Sequence, residues 1–199
     1  MNLDTFTVII ILFIILISYR LYTKSDFFQL KCIISSVDGN KYCVRERNKI
    51  NEAADLLALV NENLKSVVEY CKKYHLDNSI TQRLIKNFNS DNIVEILPTS
   101  QYTAYSENKG EKLAFCVNKN NKQEENGELI DINTLTFVAL HELAHIGTKS
   151  VGHTAEFWDN FKFLLIQAEK IKIYKPVDYS KNSKMYCGME INDNPYFNK

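Results

Sequence analysis

Two histidines one helical turn apart, with a glutamate next to the first, constrain this chain most. His141 and His145 are four residues apart, so on an α-helix both imidazoles project from one face and can bind one metal ion. Glu142 then points beside the metal, toward a water molecule held there. The pattern His-Glu-x-x-His on a helix is typical of zinc sites that activate water. The spacing therefore predicts a helix across residues 141–145 that holds Zn²⁺.

The residues around this pattern predict that the helix is buried. An apolar run surrounds the histidines and consists of Leu135, Phe137, Val138, Leu140, Leu143 and Ala144. Asp131 or Asn133 can cap the start of the helix, and Gly147 is placed to end it. Imidazoles without partners are costly in such surroundings, and a metal ion would satisfy them. The alternative is a chance pair of surface histidines, which the intervening glutamate disfavours.

A third zinc ligand is expected shortly after the helix. Gly152 permits a turn that can bring His153 back toward the metal. Glu156 is also in reach and can complete a site of two histidines and one glutamate. We favour His153, because Glu156 belongs to the first turn of the next predicted helix, where a carboxylate is favourable for its own reason. Three protein ligands leave the fourth position of zinc open for water.

Residues 141–158, HELAHIGTKSVGHTAEFW, resemble the core of the WLM-type metallopeptidases, relatives of the SprT-like proteases. In that family a short loop joins the zinc helix to a His-x-x-x-Phe-Trp segment. Residues 108–116, NKGEKLAFC, are similar to the strand that precedes the helix, with its Asn-x-Gly turn. The likeness covers roughly residues 50–172. It implies a zincin-like α+β fold with a small mixed sheet and a zinc-binding helix, and peptidase activity that depends on Zn²⁺.

Two departures from that family argue against a role in DNA–protein crosslink repair. The extended basic or ubiquitin-related C-terminal region of the repair proteases is missing, and an apolar N-terminal segment is present. Charge is balanced, with 24 basic and 24 acidic side chains, so no field draws the whole domain to nucleic acid. We therefore expect no specific nucleic-acid partner.

The N-terminal segment predicts a membrane anchor. Every residue from Phe6 to Ile17 is apolar except Thr7. With its flanks, the segment is just long enough for one bilayer crossing at about 1.5 Å per residue. A signal peptide would carry a basic start and a small-residue cleavage site, and a core helix would not be apolar on every face. The chain is thus predicted to place residues 5–22 in lipid and to divide into a transmembrane anchor (1–24) and a metallopeptidase domain (25–199).

Three observations predict that the domain lies on the cytosolic side. Arg20, Lys24 and Lys31 follow the span and no Lys or Arg precedes it, which fits the positive-inside rule. The five cysteines form an odd set without tight spacing, as expected of reduced thiols. None of the 21 asparagines lies in a glycosylation sequon. The abundance of Asn, Lys and Ile indicates AT-rich codons, for which a large DNA virus is one candidate source, with a host or virion membrane.

Apolar periodicity predicts the remaining elements. They are a hairpin around Asp38 and Gly39, a long helix to Tyr74 capped by Asn48 or Asn51, a short helix over 79–88, strands over 93–97 and 111–117, and a helix over 154–171. Residues 113–117 are the candidate edge strand against which an extended substrate would lie. The apolar residues within 185–191 are expected to add a strand or to pack near the site.

Taken together, these features predict a membrane-anchored zinc endopeptidase that acts on protein or peptide substrates. Glu142 is the expected general base, which takes a proton from the zinc-activated water and returns it to the leaving amine. Tyr179 or Tyr186 is the candidate donor to the carbonyl oxygen in the transition state. The alternative is a zinc-stabilised structural membrane protein, for example of a virion, with little or no turnover.

Overall fold

The computed structural model of the protein describes residues 4–24 and 29–198. The helices in these ranges are α1 (Thr5–Lys24), α2 (Ile50–Tyr74), α3 (Ser79–Asn87), α4 (Ile132–Gly147) and α5 (Ala155–Lys170). The strands are β1 (Lys31–Ile34), β2 (Lys41–Val44), β3 (Ile93–Glu95), β4 (Ala104–Glu107), β5 (Lys112–Phe115), β6 (Lys184–Tyr186) and β7 (Met189–Ile191). The arrangement confirms the predicted mixture of helices with a small mixed sheet.

The first five strands form one sheet in the order β1-β2-β3-β5-β4. Strands β2, β3 and β5 run parallel, while β1 and β4 pair antiparallel at the two edges. The prediction that residues 113–117 form the substrate edge is therefore wrong, because β5 lies inside the sheet. Its residues Leu113, Ala114 and Phe115 are all buried, as suits a strand covered on both faces. The edge strand beside it is β4.

Helix α4 lies at the centre of the domain, packed against α2, α3, α5 and β4. Asp131 caps it, since its carboxylate accepts a hydrogen bond from the backbone N–H of Thr134 at 2.9 Å. The caps predicted for α2, Asn48 and Asn51, are wrong: Lys49 holds the N-cap position and makes no capping side-chain bond. This 25-residue helix relies instead on its buried apolar face.

Gly147 is the last residue of α4, as predicted, but its φ is not positive and the absence of a side chain serves packing. A Cβ atom at this position would lie 2.4 Å from Cγ1 of Ile80 on α3, which is a clash. The glycine therefore allows α3 to approach the last turn of α4 closely. This approach brings the side chains of α3 next to the loop that follows the predicted zinc helix.

Helix α1 is long and apolar enough to cross a membrane, and none of its segment Thr5–Tyr22 is buried. A signal sequence at the N-terminus has the same properties. The alternative of a core helix does not fit a helix exposed along its whole length. The predicted boundary between the anchor and the domain falls between residues 24 and 25. Residues 25–28 and the side chain of Lys24 lie outside the described part of the structure.

Two disulfides contradict the prediction of reduced cysteines. Cys32 and Cys43 are directly opposite each other in β1 and β2 and are bonded. Cys116, after β5, is bonded to Cys187, which lies between β6 and β7. Only Cys71 is a free thiol, buried in α2. The five cysteines are two bonded pairs and one buried thiol. Cys116 and Cys187 are 71 residues apart in the sequence, so their spacing does not indicate the bond. The cysteines thus no longer support the cytosolic side.

Candidate metal centre and cleft

The structure brings the three predicted histidines together. Nε2 of His141 lies 3.2 Å from Nε2 of His145 and 3.0 Å from Nε2 of His153. A tetrahedral zinc ion bound at about 2.0–2.1 Å places its nitrogen ligands roughly 3.3 Å apart. All three histidines offer ring nitrogens within 4.8 Å of one another. The donor set and its spacing therefore fit a zinc ion.

The position of His153 depends on the loop between α4 and α5. Gly152 has a φ of +85°, a left-handed conformation that a side chain disfavours, so the turn predicted there is present. Thr154 then caps α5 by accepting a hydrogen bond from the N–H of Phe157. The ring of His153 stacks on Trp158 with 5.6 Å between ring centroids. The indole thus packs against the third imidazole, and it is 40% exposed and also lines the cleft.

Burial keeps the two helical histidines in their neutral form. It lowers the pKa of His141 to about 3 and that of His145 to about 4, and the charges of neighbouring imidazoles add to both shifts. A neutral imidazole retains a ring nitrogen with a free lone pair, which is the form that binds metal. The electrostatics of the site thus favour the metal-binding state at neutral pH.

Glu142 belongs to α4, and its carboxyl group is buried against the edge strand β4. Burial raises the pKa of its carboxyl to about 7, although a hydrogen bond from the backbone N–H of Ser106 opposes the shift. Only 6% of the residue is exposed. A carboxyl group with a pKa near neutrality can both accept and return a proton under physiological conditions.

Glu156, the alternative third ligand, is turned away from the histidines. Its carboxylate accepts hydrogen bonds from the backbone N–H groups of Lys149 and Ser150 at 3.2 and 3.3 Å. It also forms an ion pair with Arg83 at 3.1 Å. The structure therefore brings His153, and not Glu156, to the helical pair.

The three histidines and Glu142 line a cleft of about 800 Å³. Its lining includes β4 with the residues before it, and also residues 189–193 and Pro195. Five aromatic side chains line it as well: Tyr102, Tyr105, Phe137, Trp158 and Phe161. The apolar residues near 185–191 thus lie beside the site, as predicted.

The two tyrosines named as candidate transition-state donors are buried and do not line the cleft. The hydroxyl of Tyr186 donates to the carbonyl oxygen of Thr103 at 3.1 Å, and its side chain is fully buried. Tyr179 is 1% exposed and packs edge-on against Phe137. The tyrosines that line the cleft are Tyr102 and Tyr105. Tyr105 lies within β4 and Tyr102 shortly before it.

Comparison with known proteins gives relatives without a described activity. No protein-family model matches the chain. It is 28% identical over 175 residues to the uncharacterized protein R325 of Acanthamoeba polyphaga mimivirus, covering 86% of this chain and 85% of the relative. It is 30% identical over 101 residues to the uncharacterized protein 136R of Invertebrate iridescent virus 6, which spans about half of each protein (50% and 55%).

One solved structure is similar in outline. The crystal structure of Wss1 from Saccharomyces cerevisiae aligns with a TM-score of 0.49 and 17% sequence identity, covering 65% of this chain and 87% of that chain. This likeness is too weak to assign a family. The chain therefore has viral relatives, and its chemistry is inferred from its own residues.

Proposed function

We propose that this chain is a membrane-anchored, zinc-dependent endopeptidase, with a transmembrane anchor at residues 1–24 and a zincin-like domain at residues 25–199. The observation that carries the proposal is the convergence of His141, His145 and His153 next to a buried Glu142 in an open cleft. A site that only stabilised the fold would need the imidazoles, but it would have no use for a buried carboxylate with a pKa near 7.

The residues divide the chemistry between them. His141, His145 and His153 would hold Zn²⁺ through Nε2, as their spacing allows. Bound zinc lowers the pKa of water toward about 7 and polarises a carbonyl oxygen. Glu142 takes a proton from the attacking water and then donates it to the leaving amine nitrogen. The raised pKa of Glu142 suits both steps, because the group can exchange a proton in either direction near neutral pH.

The proposed substrate is an extended segment of a protein or peptide. Among the described strands β4 pairs only with β5, so its other edge can bond to the backbone of a further strand, except at the Ser106 N–H, which Glu142 already accepts. Ser106 of β4 also donates its backbone N–H to Glu142, which places the base beside this edge. A chain added to β4 would thus carry its backbone past the catalytic residue. No specific nucleic-acid partner is proposed.

The proposal also covers location. Residues 5–22 would lie in a bilayer, of a host cell or a virion, and the basic residues Arg20, Lys24 and Lys31 support the cytosolic side for the domain. The two disulfides oppose that orientation, since such bonds persist mainly in oxidising compartments. Glycosylation of a sequon introduced at residues 118–128 distinguishes the two orientations.

The test separates the ligands from the base. The full-length protein, purified in detergent, should contain about one zinc ion per chain, and His141→Ala should lose it. Glu142→Gln should retain zinc and fold but lose cleavage of a denatured protein library, because an amide cannot accept the proton. Glu69→Gln, on the exposed face of α2, is the matched control and should leave both properties unchanged.

Two outcomes would contradict this proposal. If Glu142→Gln cleaves as fast as the wild type, Glu142 is not the base. If the wild type binds zinc but cleaves nothing in the library, the protein is the zinc-stabilised structural membrane protein instead.

A further inference from the structure

The loop of residues 148–154, which we call the His153 loop, must place an exposed histidine accurately. His141 and His145 are fixed by a buried helix, but His153 is exposed and burial does not hold it. Precise metal geometry therefore requires that other groups fix the loop backbone. Two charged side chains from outside the loop, Lys109 and Glu156, contact it from different directions.

Lys109 reaches the loop from the turn between β4 and β5. Asn108, Lys109 and Gly110 all have positive φ values, of 47°, 59° and 113°. A Cβ atom at Gly110 would lie 2.5 Å from the carbonyl oxygen of Asn87 and 3.0 Å from Cγ2 of Ile146, so only glycine fits. The turn is thus packed against the last turn of α4. This packing explains why the Asn-x-Gly pattern precedes the zinc helix in the sequence.

The ammonium group of Lys109 is saturated by backbone carbonyls. Its Nζ donates to the carbonyl oxygens of His145 at 3.2 Å, Thr148 at 2.8 Å and Ser150 at 3.1 Å. An ammonium has three donors, and each one is used here. The first of these bonds lies at the C-terminal end of α4, where the helix dipole favours a cation. Lys109 thereby connects the end of the zinc helix to the start of the His153 loop.

Glu156 binds the amide groups of the same segment. It accepts the N–H groups of Lys149 and Ser150, and its Oε2 also accepts the hydroxyl of Ser150 at 2.9 Å. Arg83 of α3 holds the carboxylate through an ion pair and donates a second bond to the carbonyl oxygen of Gly147. Within residues 148–150, the carbonyls of Thr148 and Ser150 thus bind a cation, and the amides of Lys149 and Ser150 bind an anion.

We propose that Lys109 and Glu156 are positioning residues that fix the His153 loop and thereby set the affinity of the metal centre. Neither residue is a ligand of the proposed zinc ion, and both act through the backbone that carries His153. This inference rests on the proposed function in one respect, namely that the three histidines bind zinc. Outer groups that orient metal ligands typically change metal affinity by about 10–100-fold when removed.

The experiment measures zinc affinity by competition with a chelator, using the full-length protein in detergent. Lys109→Met keeps the length of the side chain but removes the three bonds, and Glu156→Gln removes the negative charge. Each should weaken zinc binding by about 10–100-fold. Lys149→Met is the matched control, because Glu156 binds the backbone N–H of this residue and the substitution keeps it. The control should bind zinc as the wild type does.

A double-mutant cycle distinguishes positioning from general stabilisation. If Lys109 acts through His153, then Lys109→Met should have almost no further effect on zinc affinity once His153 is replaced by alanine. The absorption spectrum of the cobalt(II)-substituted protein gives a second readout, and Lys109→Met should shift it toward that of His153→Ala. A merely structural role would lower the melting temperature of the metal-free protein and leave the cobalt spectrum unchanged.

The inference is overturned if Lys109→Met and Glu156→Gln both bind zinc with wild-type affinity, or if the loss is equally large in the His153→Ala background. Should Lys109→Met fail to fold, Glu156→Gln alone carries the test. Failure of the proposed peptidase activity would look different, since cleavage would then be absent or would survive Glu142→Gln while zinc affinity still falls in Lys109→Met and Glu156→Gln.

Discussion

Two glutamates in this protein are buried, and their surroundings give them different roles. Glu95 in β3 is fully buried and forms ion pairs with Arg45 and Arg47, which are also buried. Its carboxylate additionally accepts the backbone N–H of Arg45 at 2.8 Å. Glu142 has the backbone N–H of Ser106 as a partner, and burial raises its pKa to about 7. Burial raises the pKa of both carboxyl groups, but at Glu95 two guanidinium groups and a backbone N–H oppose the shift, whereas at Glu142 one backbone N–H opposes it.

This contrast predicts opposite effects on stability. Glu95→Gln should lower the free energy of unfolding by about 3 kcal/mol, because it leaves buried guanidinium groups without their counter-charge. Glu142→Gln should leave the free energy of unfolding unchanged or raise it, since it removes a carboxyl group whose ionisation burial opposes. Urea unfolding of the two variants at pH 7 measures both values. Equal destabilisation by the two substitutions would contradict the distinction.

At the scale of single residues, the sequence predicts spatial contacts only between residues that are close together in the chain. Helical spacing is sufficient to place His141, Glu142 and His145, and the glycine at position 152 indicates the return of His153. The partners that complete the site come from distant segments: Lys109 lies 36 residues from His145, whose carbonyl it binds. No local pattern encodes such a contact, because it depends on how the sheet packs against α4.

Helix α4 is held in place at both ends by charged side chains. Asp131 caps the first turn through the N–H and the hydroxyl of Thr134, both at 2.9 Å, and it also pairs with Lys184 of β6. Hydrogen bonds from Thr134 and the charge of Lys184 hold the pKa of the Asp131 carboxyl below its usual value, although burial opposes them. Lys109 binds the other end of the helix.

We expect Asp131→Ala to lower the free energy of unfolding by about 1 kcal/mol at pH 7, the usual effect of losing a cap. The folded pKa of Asp131 is below the unfolded one, so its stabilisation is fully present above an unfolded pKa of about 3.9 and is lost as pH falls through the folded pKa. Thermal unfolding from pH 7 to pH 2 should therefore show the difference from wild type shrink in acid. Asp131→Asn, which retains the cap, is the control. A difference that persists at pH 2 would exclude this explanation.

The strands show where element-level prediction reaches its limit. The hairpin of β1 and β2 follows from its turn at Asp38 and Gly39, and both its strands are present. The edge strand β4 was missed because Ala104–Glu107 has only four residues and a mixed, partly exposed pattern. The apolar run of β5 was itself informative, since burial on both faces is typical of an interior strand. Sheet order, and hence the substrate edge, depends on pairing between distant residues.

The whole molecule combines an exposed apolar helix with a disulfide-linked domain. The basic residues at the C-terminal end of α1 and after it predict that the domain faces the cytosol. A glycosylation sequon introduced into the polar loop at residues 118–128 should then stay unmodified in cells that express the full-length protein. Protease added to intact cells should also leave the domain uncut.

Glycosylation of the loop would place the domain on the lumenal side instead, in agreement with its disulfides. The control is a second sequon, placed before the span at residues 1–3. A spacer must be added there, so that the sequon lies far enough from the membrane to reach the glycosylation machinery. Such a tagged variant should be modified when the predicted orientation is correct.

The bond between Cys116 and Cys187 has a practical consequence for the cleft. Residues 189–193 form one of its walls, and this bond ties the hairpin that carries them to the end of β5. With the bond intact, we expect this wall to stay close to the histidines, because Cys187 remains attached to the end of β5. Dithiothreitol in a purification buffer would remove this restraint. Measurements on reduced and oxidised preparations would thus describe two forms of the protein, which differ in how firmly this wall of the cleft is held.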